Sequence, residues 1–119
     1  MFEKEALHCK VVLIGESGVG KTSIINRYIS HTFSIIMSGT PCSSFVTKTI
    51  YIKDYNESIK FEIWDTAGDV KYRALAKVFY KNVSGIILVY DITRRNSFEE
   101  LKNYWIKEIK PVVSPNSSN

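Results

Sequence analysis

Eight consecutive residues, Gly15-Glu16-Ser17-Gly18-Val19-Gly20-Lys21-Thr22, match the pattern G-x-x-x-x-G-K-[ST] at all four fixed positions. They follow Lys10-Val11-Val12-Leu13-Ile14, an apolar and β-branched run of the kind found in strands buried on both faces. After them, Lys21 to His31 sets Ile24, Ile25, Tyr28 and Ile29 at helical spacing, with Asn26 and Arg27 opposite. A chance glycine turn does not account for four fixed positions lying between a strand and a helix. In that context the glycines let backbone N–H groups converge on phosphates, and the helix N-terminus adds positive potential. Lys21 is expected to reach the β- and γ-phosphates of a nucleotide, and the Thr22 hydroxyl to bind Mg²⁺. The residues expected to touch nucleotide here are Glu16, Ser17, Gly18, Val19, Gly20, Lys21, Thr22 and Ser23.

The rest of the chain alternates strand and helix signals. Ser34 to Ser43, with Gly39 and Pro41 among small polar residues, has no sustained period and reads as a loop. Ser44 to Lys53 alternates, and Ile59 to Trp64 puts Ile59, Phe61 and Ile63 on one face. Between them, Asp54-Tyr55-Asn56-Glu57-Ser58 is turn chemistry for an antiparallel hairpin. Asp65 to Val70 is a second loop, and Lys71 to Asn82 carries Leu75, Val78 and Phe79 at helical spacing. Gly85 to Tyr90 is an almost wholly apolar strand that ends at Asp91. Asn96 or Ser97 is expected to cap a last helix whose buried stripe is Leu101, Tyr104, Trp105 and Ile109. Pro111, Pro115 and a Ser/Asn tail end the pattern, so residues 112–119 are expected to be disordered. With no repeat and no linker, the order predicts one α/β domain with doubly wound connections.

Composition narrows the partners. The chain has 119 residues, 45% hydrophobic and 24% charged, which suits one globular domain or part of one. Its net charge of +4 is spread along the chain, a weak case for a nucleic-acid partner, and none is expected. Cys9 and Cys42 match neither a disulfide framework nor metal-ligand spacing, and reduced thiols in the cytoplasm are the simpler reading. No stretch approaches the roughly 18 apolar residues of a membrane span. His8 and His31 lack companion ligands, and Lys102, Lys107 and Lys110 read as a solvated helix face. Trp64, Tyr80, Phe98 and Trp105 are expected mostly to pack in the core.

Asp65-Thr66-Ala67-Gly68 closes an apolar strand, so the Asp65 carboxylate should emerge at the same sheet edge as the glycine loop. One Mg²⁺ would then be shared by Thr22 and Asp65, with the Gly68 N–H facing a γ-phosphate. Together with Thr40, Trp64-Asp65-Thr66-Ala67-Gly68, Phe79-Tyr80, Leu88-Val89-Tyr90-Asp91-Ile92-Thr93 and Ser97-Phe98, these residues resemble a Ras-superfamily small GTPase, most of all its Rab branch. The resemblance runs from about Cys9 to Ile109. It implies a P-loop NTPase fold, three-layer α/β/α, with a mostly parallel sheet and one antiparallel hairpin strand, incomplete at its C-terminal side. It makes Ser34 to Ser44 the first switch loop, with Thr40 on Mg²⁺ and the γ-phosphate, and Asp65 to Leu75 the second. It further implies GTP or GDP with Mg²⁺, and effectors, exchange factors and GTPase-activating proteins that engage the switch loops. An aromatic such as Trp64 borders the effector surface of that family. The implied setting is the cytoplasm, peripheral to intracellular membranes.

Three departures qualify this. Where the family usually has Gln and Glu after Asp-Thr-Ala-Gly, the chain has Asp69 and Val70. A carboxylate at 69 accepts from water but adds negative charge beside the γ-phosphate and lacks an amide donor, so hydrolysis at the Lys21 and Asp69 catalytic pair is expected to be slow. Pro41 and Cys42 replace the usual Ile and Gly, with Pro41 biasing Thr40 toward extended backbone. The guanine-reading Asn-Lys-x-Asp and Ser-Ala-Lys motifs and the prenylated cysteines do not occur before Asn119, so guanine selectivity and a lipid anchor are not expected of this chain. Without further strands, Gly85 to Tyr90 would be an apolar sheet edge open to self-association. The two leading readings are a Rab-like switch in membrane traffic and a truncated or degenerate binding module that neither selects guanine nor turns over. A P-loop kinase of small metabolites leaves the Asp-Thr-Ala-Gly and Tyr-Asp-Ile-Thr stretches unexplained and offers no Arg-rich lid.

Overall fold

The computed structural model describes residues 7–30, 43–66 and 80–113. Strand β1 (Leu7–Ile14) is central, and it begins three residues earlier than its apolar run. It pairs in parallel with β3 (Glu57–Thr66) on one side and with β4 (Gly85–Leu88) on the other. Strand β2 (Ser43–Ile52) joins β3 antiparallel, giving the order β2-β3-β1-β4. The hairpin between them turns through a 3₁₀ turn, Lys53–Tyr55, and closes on Asn56 at φ 52°. Asn tolerates that left-handed conformation better than most residues because its short side chain can bond locally.

Both faces of the sheet are covered, as continuous apolar strands require. Successive residues of β1 point to opposite faces. Val12 and Ile14 join Tyr80, Leu101, Trp105 and Ile109 in one cluster, and Leu13 joins Ile25, Ile63 and Val89 in the other. Helix α1 (Lys21–Ser30) covers the second face through Ile25 and the half-buried Ile29. Ile24 and Tyr28, expected in its buried stripe, are exposed, because against this sheet the helix hides a narrower stripe. The Tyr28 ring instead meets the Lys48 ammonium of β2, 4.4 Å from the ring centroid. This is the three-layer α/β/α arrangement with one antiparallel strand that the sequence implied.

The first face is covered by a helical run of three segments: α2 (Arg95–Glu100), a π-helical turn (Leu101–Trp105) and α3 (Ile106–Val113). Neither Asn96 nor Ser97 caps it. Arg94 holds the N-cap without a side-chain bond, and Ser97 is buried in the first turn. The Ser97 hydroxyl accepts from the Asp91 N–H at 2.9 Å and donates to the Arg94 carbonyl at 2.7 Å, so it closes the preceding turn instead. Pro111 does not end the order either. It lies inside α3, where it removes one i→i−4 hydrogen bond, and the helix still takes in residues 112 and 113.

The π turn has a geometric cause. Ser97, Leu101, Trp105 and Ile109 are all buried at a strict spacing of four. On a regular α-helix each such step drifts by about 40°, or roughly 120° over the three steps. The wider turn, in which the Ile106 N–H donates to the Leu101 carbonyl five residues back, takes up that drift and keeps both ends on the sheet. Strands β2 and β4 are the two edges of the sheet among the described residues, and in β4 Ile87 and Leu88 are 48% and 38% exposed.

Deleting the exposed Asn103 would restore spacings of four, three and four, which a regular α-helix accommodates on one face. Urea unfolding should show a loss below about 1 kcal/mol for that deletion.

Candidate phosphate and metal site

The loop at residues 15–20 leaves β1 where the backbone is most crowded. The Val89 N–H donates to the Ile14 carbonyl at 2.9 Å, and a Cβ on Gly15 would stand 2.2 Å from the Val89 carbonyl oxygen. Only glycine fits there. Gly18 and Gly20 hold φ of 80° and 108°, which L side chains rarely adopt. Val19 packs its side chain toward Leu13 and Ile25, and Ile24 donates to the Gly20 carbonyl at 2.9 Å, opening α1. Ser23 is half-buried in the first turn of that helix.

Lys21 is only 5% exposed and folds back over the loop. Its Nζ donates to the carbonyls of Gly15 at 2.9 Å and Glu16 at 2.8 Å. Burial lowers its pKa from 10.5 to about 8, against the Asp65 and Glu16 carboxylates, which pull it upward. An anion arriving at this ammonium would therefore meet a cation already stripped of much of its water.

The parallel register sets Asp65 opposite Leu13, at the strand end from which the loop departs. The next residue locks that level, since the buried Thr66 hydroxyl donates to the Leu13 carbonyl at 2.8 Å. Asp65 is 2% exposed, and the Thr22 hydroxyl donates to its Oδ2. A hydroxyl and a carboxylate in contact are hard oxygen donors of the kind Mg²⁺ takes when phosphates and water complete its shell. Among the described residues no group of three or more His, Cys, Asp or Glu side chains could hold an ion, so a metal at Thr22 and Asp65 would need oxygens from phosphate or water to complete its shell.

The structure thus brings together Glu16, Ser17, Lys21, Thr22 and Asp65. Thr40, Gly68 and Asp69 lie outside the described residues. Two residues on the loop were not singled out from the sequence. Arg94 Nη1 donates to the Ser17 carbonyl at 3.1 Å, and the Trp105 indole N–H donates to Glu16 Oε1 at 3.0 Å. Trp105 was legible as core, but nothing in the linear pattern pairs it with position 16. Asp91, at the specific Tyr-Asp-Ile-Thr stretch, proves structural: its Oδ1 accepts from the Thr93 N–H and hydroxyl at 2.8 and 2.7 Å, and these bonds hold its pKa below the ordinary value.

The family model described as the Ras family matches residues 10–118. Human Ras-related protein Rab-22A is 45% identical over 107 residues, covering 90% of this chain and 54% of that protein. Ras-related protein RabC of Dictyostelium discoideum is 42% identical over 107 residues, with the same coverage. The chain spans about half the length of these curated relatives.

The Lys21 shift has a defined sign. The folded state binds fewer protons than the unfolded chain between about pH 8 and 10.5, so the cost of the buried charge, about 3 kcal/mol, is present in full below pH 8 and is relieved above it. Thermal melts of the ligand-free Lys21→Met variant and the parent should therefore diverge in the parent's favour as pH rises from 8 to 10.

Proposed function

This chain belongs to the Ras family, on its Rab branch, and from that membership we propose that it is a nucleotide switch that binds GTP and GDP with Mg²⁺ and serves membrane traffic. The observation that carries the reading is the contact of Thr22 with the buried Asp65 beside the Lys21 ammonium. Lys21 would exchange its bonds to the loop carbonyls for phosphate oxygens, and the glycine backbone would wrap the phosphates. Thr22 and Asp65 would hold Mg²⁺, whose charge offsets that of the β- and γ-oxygens. Thr40 would complete the metal site from the first switch loop, and the Gly68 N–H would face the γ-phosphate from the second.

Partner binding is placed on those loops, for effectors, exchange factors and GTPase-activating proteins. Support comes from Phe45 and Trp64, stacked at 4.6 Å between centroids on β2 and β3, the strands that border both loops. Phe45 is largely exposed, and aromatic pairs of this kind are favoured at interfaces. Self-association, where it occurs, is assigned to the β4 edge.

A second reading, a phosphate-binding module indifferent to the base, draws on the same site, because Lys21, Thr22 and Asp65 suit phosphate and metal and none of them would read a base. Fluorescent GTP, GDP and ATP distinguish the two. The switch reading expects GTP and GDP to bind at micromolar concentration or tighter, and EDTA or Asp65→Ala to weaken them at least about tenfold. Equal binding of ATP selects the module.

Asp69 in place of an amide should slow hydrolysis. Single-turnover GTP cleavage by Asp69→Gln is expected to be at least about tenfold faster than by the parent, since Gln orients the attacking water without adding charge. Equal rates would show that residue 69 does not limit turnover.

A further inference from the structure

Glu16 is an unfavourable residue for an anion-binding loop unless its charge is turned away. In this chain it is turned onto Trp105, which is fully buried and donates its indole N–H to Glu16 Oε1 at 3.0 Å. The main chain of the same residue accepts from Lys21 Nζ at 2.8 Å. Glu16 therefore joins Trp105 to the phosphate-binding lysine through one residue. The neighbouring peptide is held from the same helical run, by Arg94 Nη1 on the Ser17 carbonyl at 3.1 Å. Arg94 is itself placed by the turn that Asp91, Thr93 and Ser97 close, with its N–H on the Asp91 carbonyl at 2.9 Å.

We propose that Trp105 is a positioning residue for the phosphate loop, holding Glu16 so that Lys21 stays aimed at nucleotide, with Arg94 as a weaker, solvent-exposed second tie. The π turn is what delivers Trp105, by keeping position 105 on the same face as positions 97 and 101 while the helix continues to Ile109. The assignment deepens the nucleotide-switch reading and rests on it for its biological consequence, slower nucleotide release.

The test uses the uniformly ¹⁵N-labelled 119-residue chain, whose two indole resonances are told apart with a Trp64→Phe variant. Trp105→Phe keeps an aromatic side chain in the core and removes the indole donor, at the cost of a small cavity for which the Leu101→Ala control accounts. It should raise hydrogen exchange at the amides of residues 16–20 roughly tenfold, and speed release of fluorescent GDP by a similar factor, as expected when a part-buried, charge-assisted bond is lost. Glu16→Ala, on the surface loop, tests the bond from the other end: it should shift the Trp105 indole resonance and reproduce both effects. Glu16→Gln, which keeps an acceptor, should restore most of them. The double variant Trp105→Phe/Glu16→Ala should be no faster than either single one. Leu101→Ala controls for loss of helix packing, lowering the melting temperature without opening the loop amides.

Unchanged exchange at 16–20 in Trp105→Phe, or additive effects in the double variant, would overturn the proposal. A parent chain that binds no nucleotide would defeat the functional reading alone, since exchange and the indole resonance still decide whether Trp105 sets the loop.

Discussion

The carbonyl of Val89 passes so close to Gly15 that no side chain can stand between them, while the Val89 N–H bonds back to Ile14. At this point the end of β1 and the continuation of β4 are pressed together, and the site is arranged around that approach. It fixes the direction in which the chain leaves β1, and hence where the loop turns before α1. It also carries the β4 segment across the mouth of the loop, so that the turn after Tyr90 and the helix beyond it descend next to Glu16 and Ser17. On the other side of β1, the parallel register sets Asp65 and Thr66 at the same level. Three chain segments distant in sequence thus converge on one strand end, which is where open α/β sheets bind ligands.

Much of this was legible beforehand because it follows from local pattern. The glycine loop, the strand before it, the hairpin and the apolar β4 run each carry their own signal, and Asp65 could be placed at the sheet edge because a strand must end somewhere on a loop. What escaped were effects that depend on competition between neighbours. Ser97 looked like a cap, yet its hydroxyl is taken by the Asp91 turn. Pro111 looked like a stop, yet the helix includes it and runs on to Val113. Ile24 and Tyr28 satisfied the helical period and remain in solvent, since periodicity gives a face but not its width. The bond between Trp105 and Glu16 could not be read at all, because 89 residues separate its ends.

The same strand end stores an electrostatic tension. Lys21 is kept out of water with only carbonyl partners on its ammonium, and the two nearest carboxylates do not offset the desolvation. A group held in this way gains more from an incoming anion than a solvated lysine would, because part of the dehydration has already occurred. The buried carboxylate of Asp65 lies beside Lys21, in contact with the Thr22 hydroxyl.

The π turn bears on how this chain is compared with any other. A helix that widens by one residue between Leu101 and Trp105 advances its sequence without advancing its face. Beyond it, each residue occupies the spatial position that a regular helix would give to the residue before, so Ile109 stands where position 108 would stand. Matching by residue count and matching by location in space then disagree by one from Trp105 onward. A property transferred to this segment from a relative with an unbroken α-helix would fall on the wrong side chain unless the reading frame is moved.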